Sequence, residues 1–131
     1  MPRDMRLVMT NRPGVLIAVL KAISDAGINI QGTAADLRPG EQWGYLHILV
    51  DDPDKARQAI EKIGVEITSE HEVDILELED RPGSILETTE PYASKGQNIE
   101  VIYIAHDRLV IGTDAMRQPI FGTKVSDARY P

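Results

Sequence analysis

The chain has 131 residues and a formal charge of −7, from 14 Lys and Arg against 21 Asp and Glu. That acidic balance argues against nucleic acid or an anionic membrane as the main partner. With 42% hydrophobic and 27% charged residues and no cysteine, it has the composition of a soluble globular protein without disulfides or thiol chemistry.

No apolar run approaches the ~20 residues of a membrane span. Met1 to Asp4 lead into a strand-like segment without a signal-peptide pattern, so a cytoplasmic location is expected. Met5 to Thr10 has strand length, and Asn11-Arg12-Pro13-Gly14 then turns the chain into a helix. Pro13 suits a first helical turn, where its missing N–H costs nothing. Leu16, Val19, Leu20, Ile23 and Ala26 recur at helical spacing, and Gly27 ends the helix. A strand is expected over 28–37, then turn chemistry at Arg38-Pro39-Gly40-Glu41, then a strand from Trp43 to Val50. Asp52-Pro53-Asp54 reads as a helix start: a capping carboxylate, a proline at the first position and an acid near the positive end. Ala56, Ala59, Ile60 and Ile63 form its apolar stripe, Gly64 stops it, and 65–69 is a short strand. The order is β-α-β-β-α-β, the ferredoxin-like arrangement.

The pattern then repeats. Arg12-Pro13-Gly14 recurs sixty-nine residues later as Arg81-Pro82-Gly83, and Gly27-x-Asn29-Ile30 recurs at the same offset as Gly96-x-Asn98-Ile99. One offset kept without a gap points to duplication. The sequence therefore predicts an α+β protein of two ferredoxin-like units, 1–70 and 71–131, with no linker. In the second, strands are expected over 73–79, 98–105 and 108–113, and a helix over 82–95. Its hairpin is about six residues shorter than the first, since Thr113-Asp114 stands sixty-three residues after Val50-Asp51. Pro91 should kink or break its first helix. Pro119 and Gly122 leave room only for a short last helix, and a disordered tail is expected from about residue 126.

Asn11-Arg12-Pro13-Gly14-Val15-Leu16, Gly27-Ile28-Asn29-Ile30 and Trp43-Gly44-Tyr45 together resemble an ACT domain, nearest to the serine-sensing regulatory type found in D-3-phosphoglycerate dehydrogenase. The resemblance covers 5–70, and more weakly 72–114, where Asp80 replaces the first asparagine. It implies a small ligand, usually an amino acid, bound at an interface between two such units. The family's binding asparagines map onto Asn11 and Asn29. The histidine of the serine-sensing type falls at Met9.

The residue chemistry fits such a ligand on its own terms. A helix N-terminus offers unpaired N–H groups and partial positive charge to a carboxylate, and asparagine can both donate to and accept from a zwitterion. The candidate binding residues are Asn11, Arg12, Pro13, Gly14, Val15, Leu16, Asn29 and Ile30, with Asp80, Gly83 and Asn98 in the second unit. Asp80 would pair with an ammonium but repel a carboxylate, so the second loop is either different or silent. The competing role for Asn11, Asp80, Asn29 and Asn98 is capping and turn formation. Arg12 and Arg81 read as solvated, Trp43 and Tyr45 as packing residues, and His47, His71 and His106 as strand or surface residues without metal-ligand spacing.

No cofactor is expected. Three functions remain open: a non-enzymatic, amino-acid-binding regulatory protein acting on an enzyme or transporter in trans; a small acylphosphatase-like enzyme using Arg12 or Arg81 with Asn29 or Asn98; and a ligand-free scaffold. A homodimer is expected, because strands such as Trp43–Val50 and Ile99–Ile104 are apolar on both faces.

Overall fold

A computed structural model describes residues 2–118. The first unit is β1 (Arg3–Thr10), α1 (Val15–Asp25), β2 (Gly32–Asp36), β3 (Trp43–Val50), α2 (Pro53–Lys62) and β4 (Glu66–Glu72). The second is β5 (Asp74–Glu77), α3 (Ser84–Ser94), β6 (Ile99–Ala105), β7 (Arg108–Thr113), a 3₁₀ turn at Asp114–Met116 and β8 (Arg117–Gln118). The protein is α+β, with two antiparallel sheets built from βαββαβ-like units.

One sheet has the order β2-β3-β1-β4-β8 and the other β5-β7-β6. Met5, Leu7 and Met9 of β1 and Leu46, Ile48 and Val50 of β3 share one face. There they meet Val19 and Ile23 of α1 and Ala56 and Ile60 of α2 in the main core. The opposite face is covered by the second sheet: Leu49 packs with Ala105 and Val110, flanked by Val73, Ile75 and Tyr103. A Cβ on Gly32 would stand 2.6 Å from Ala105 Cβ, so β2 and β6 approach too closely there for any other residue. The two units thus stack face to face. They also join edge to edge, because β8 leaves its own sheet and pairs with Glu70 and His71 of β4.

Each helix ends in a left-handed glycine, Gly27, Gly64 or Gly96. Paired backbone bonds close each end; Gln97 N–H to the Tyr92 carbonyl and Gly96 N–H to that of Ala93 close α3. The start of α2 is capped by Asp52, whose Oδ1 accepts from Lys55 N–H at 3.2 Å.

Several boundaries differ from the sequence reading. Pro13 precedes the helix instead of opening it, because Gly14, at φ 88°, takes the N-cap position. Residues 28–31 are not strand: Ile28 is buried against the helical core, and Gln31 N–H reaches Leu49 only at the strand's threshold. β4 continues to Glu72, three residues past its expected end, because Arg3, Asp4 and Met5 of β1 pair with Glu72, His71 and Glu70. β5 and α3 are shorter than expected. Pro91 does not break α3, which runs three residues beyond it; Lys95 N–H bonds the Pro91 and Tyr92 carbonyls, so only one bond, to Glu87, is forfeited. Among the described residues, the segment expected to hold the last helix shows only the 3₁₀ turn. The tail expected to be disordered lies outside the described residues.

Candidate functional site

The loop after β1 and the first turn of α1 form one wall of a cavity of about 730 Å³. Arg12, Pro13, Gly14 and Val15 line it. Val8, Met9 and Thr10 of β1, Trp43 of β3 and the α2–β4 turn from Ile63 to Glu66 complete it. The left-handed Gly14 leaves α1 without a side-chain cap. Val15 N–H bonds the Arg12 carbonyl and Ala18 N–H that of Gly14, while the N–H groups of Leu16 and Ile17 have no partner among the described residues. No acid lies in the first turn of α1, so its partial positive charge is not offset locally.

Arg12 is exposed at this opening and makes no ion pair among the described residues. Glu66 also lines the cavity, from a position paired with Val8 on β1. The cavity therefore combines a cation at its rim, a helix N-terminus and an apolar lining, a set that suits a small carboxylate.

The other first-unit candidates lie around this cavity or away from it. Asn11 is a hairpin anchor: its Nδ2 donates to the Arg38 carbonyl at 2.7 Å and that of Glu41 at 3.0 Å, and its N–H bonds the Gln42 carbonyl. Leu16 and Ile30 pack against the main core. Asn29 is exposed at the opposite end of α1, roughly 16 Å away for an 11-residue helix. A single unit does not bring Asn11 and Asn29 to one ligand.

In the second unit Asp80, Arg81, Ser84 and Ile85 line a smaller cavity of about 390 Å³ beside the β6–β7 hairpin. Gly83 again takes the left-handed N-cap position, at φ 84°. Asn98 is exposed; its N–H bonds Asp114 Oδ1 at 3.1 Å and its carbonyl accepts from Asp114 N–H, so it acts in the 3₁₀ turn. Arg81 is not merely solvated. It is clamped by Glu79 and Glu87.

Two histidines read as ordinary strand residues belong to the seam between the sheets. Asp4 is fully buried. Tyr103 donates its hydroxyl to Asp4 Oδ1 at 2.7 Å, and His47 Nδ1 stands 2.8 Å from Asp4 Oδ2. Burial, and then the Asp4 charge, push the Tyr103 hydroxyl well above the usual tyrosine range. His71 lies flat against Gly112, where a Cβ would stand 2.8 Å from its ring, and its Nε2 is 3.2 Å from Glu100 Oε1. Strand alternation placed His47 on this face, but nothing in the sequence said that Tyr103 would meet it. Tyr45 packs on the same side, with the Arg6 guanidinium 3.5 Å above its ring. Trp43 lines the first cavity.

Residues 5–68 match the family described as the AHAS small subunit-like ACT domain. This segment is an ACT-like domain. The serine-sensing type suggested by the motif residues is not among these findings. No curated protein sequence matches the chain. Among solved structures, protein BT0572 from Bacteroides thetaiotaomicron superposes with a TM-score of 0.73 at 22% identity, over 86% of this chain and 78% of that one. The ligand-free regulatory subunit of aspartate kinase from Thermus thermophilus gives 0.65 at 21%, over 86% and 82%. That from Thermus flavus gives 0.60 at 20%, over 87% and 83%. At these identities the likeness is one of fold, and it extends past the ACT-like domain into the second unit. Among the described residues no helix is long and apolar enough to cross a membrane.

Proposed function

We propose that the chain is a non-enzymatic regulatory protein that binds an amino acid in the cavity beside Arg12. The observation that carries this reading is the cavity itself: an uncapped helix N-terminus and an arginine without an ion pair among the described residues, beside an apolar lining. The α-carboxylate would meet the N–H groups of Leu16 and Ile17 and the Arg12 guanidinium, and the side chain would lie against Val8 and Trp43. The ACT-like domain and the fold shared with aspartate kinase regulatory subunits support a regulatory role. On this reading the chain divides into units 1–70 and 71–131, works in the cytoplasm and acts on an enzyme or transporter in trans.

Asn29 and Ile30 belong to the site only if a second unit presents them to the 11–16 loop, which calls for a homodimer. Ile102 and Ile104 support one, being 46% and 52% exposed on the edge strand β6. Light scattering should give a dimer, and Ile102→Glu with Ile104→Glu should give a monomer; a 14.5 kDa wild-type species would exclude it. The ligand is tested by thermal shift against the twenty amino acids. One present at a hundred times its Kd adds about 2.7 kcal/mol, and should raise Tm by roughly 5–10 °C. Arg12→Ala should abolish that rise without lowering the unliganded Tm. Flat curves across the whole panel would refute the function.

A further inference from the structure

Residues 10–18 and 79–87 are the same loop and helix start in the two units, sixty-nine positions apart, and they differ most in charge. Where the first has Thr10, Asn11 and Ala18, the second has Glu79, Asp80 and Glu87; both keep the arginine, proline and glycine. The backbones agree, since Gly14 and Gly83 have φ of 88° and 84° and both helices start at the next residue. Ala18 lines the first cavity. At the same place on α3, Glu87 reaches back to the arginine.

The contact is two-pronged: Arg81 Nη2 to Glu87 Oε2 at 2.6 Å and Nη1 to Oε1 at 3.1 Å, with Nε to Glu79 Oε2 at 2.7 Å. This is the geometry in which a guanidinium holds a carboxylate. Glu87 also places an acid in the first turn of α3, where the first turn of α1 has none.

We propose that Glu87 is a built-in carboxylate, occupying the arginine and helix start of the second loop as an external carboxylate occupies those of the first, so that each chain takes a single carboxylate ligand. The inference rests on the reading of the first loop given above and deepens it by naming the residue that decides which loop is open. An intramolecular carboxylate competes at high effective concentration, set by a tether of only six residues. The local charges act in the same direction. Arg12 stands beside neutral Thr10 and Asn11, whereas Arg81 is surrounded by three acids. A ligand carboxylate arriving at the second loop must displace Glu87 and also approach Glu79 and Asp80.

The test is amide NMR of the full chain titrated with sodium acetate, against sodium chloride at equal ionic strength. In the wild type, acetate should shift the amides of Gly14 to Ile17 saturably and leave those of Gly83 to Leu86 in place. The triple variant E79T/D80N/E87A, which gives the second loop the charges of the first, should shift both sets, with midpoints within about tenfold. E87A alone should open the second loop more weakly, and E79T/D80N, which keeps Glu87, should leave it closed. Shifts at 83–86 in the wild type would overturn the inference by showing the second loop open, and shifts there in E79T/D80N would overturn it by showing that repulsion rather than occupancy governs the loop. So would shifts at 14–17 with none at 83–86 in the triple variant. Absence of shifts at 14–17 in every protein would overturn the first-loop reading, and this inference with it.

Discussion

Tyr103→Phe isolates one of the polar contacts that join the two sheets. The hydroxyl donates 2.7 Å to Asp4 Oδ1, and Asp4 has no exposed surface from which water could replace it. The ring packs beside His47, 6.2 Å between centroids, and phenylalanine keeps that packing. The loss is therefore one hydrogen bond to a buried carboxylate, leaving Oδ1 unpartnered while Oδ2 keeps His47. Such a bond contributes about 1.5–3 kcal/mol, so urea denaturation should give a loss in that range and Tm should fall by roughly 5–12 °C. Asp4→Asn and the double variant complete a cycle whose coupling energy reports the contact itself. The pH dependence gives an independent check. The folded Tyr103 hydroxyl loses its proton above the unfolded value of about 10, so its contribution is complete below pH 10 and declines as pH rises beyond it. While folded Tyr103 stays protonated, the advantage of wild type over Tyr103→Phe should shrink by about 1.4 kcal/mol per pH unit above 10. A variant within 0.5 kcal/mol of wild type at pH 7, at the limit for ordinary surface changes, would refute the buried bond.

Three other substitutions test the packing. Gly32→Val places side-chain atoms where even a Cβ stands 2.6 Å from Ala105 Cβ and 3.3 Å from the Tyr103 ring; overpacking should cost about 1–3 kcal/mol in chemical denaturation, and a neutral result would mean the sheets do not touch there. Arg57→Met removes the guanidinium that binds buried Glu70 through Nη2 at 2.7 Å and Nε at 3.1 Å, leaving Arg3 at 3.9 Å; roughly 2–4 kcal/mol should be lost, and Glu70→Gln in the same background should recover part of it. Pro91→Ala restores an N–H that can reach the Glu87 carbonyl within α3, so Tm should rise, by about 1–2 kcal/mol in stability after the looser unfolded chain is counted; a fall would show that the ring is needed for packing.

The parts legible in the sequence were those fixed by local chemistry. The glycines that close each helix, the Asp52 cap and the repeated Arg-Pro-Gly loop follow from backbone constraints acting within a few residues, and the shared offset turned them into a statement about architecture. Of the residues the sequence offered for a ligand, Arg12 to Val15 line the first cavity. What could not be read was what the repeats do to each other. Leu49, His47 and Asp4 share one face of the first sheet by alternation alone, but their partners Ala105, Val110 and Tyr103 lie more than fifty residues later. The role of Asn11 was hidden similarly: its amide bonds a hairpin twenty-seven residues on, at Arg38, and not the helix it precedes.

The charge differences between the two loops connect these levels. A duplicated loop begins with equal chemistry on both copies, and the backbone here has kept that equality, down to the left-handed glycine ahead of each helix. Side chains are free to diverge where the backbone is held, and Glu87 shows how little is needed: an acid one helical turn beyond the glycine reaches the conserved-in-place arginine and satisfies it from within. The second sheet meanwhile contributes Tyr103, Ala105 and Val110 to cover the first. One unit keeps an open cavity at its arginine, and the other covers the far face of the first unit's sheet. On that division of labour, a ligand at Arg12 and a substitution at Glu87 act on opposite faces of the same question, which loop offers its arginine to solvent.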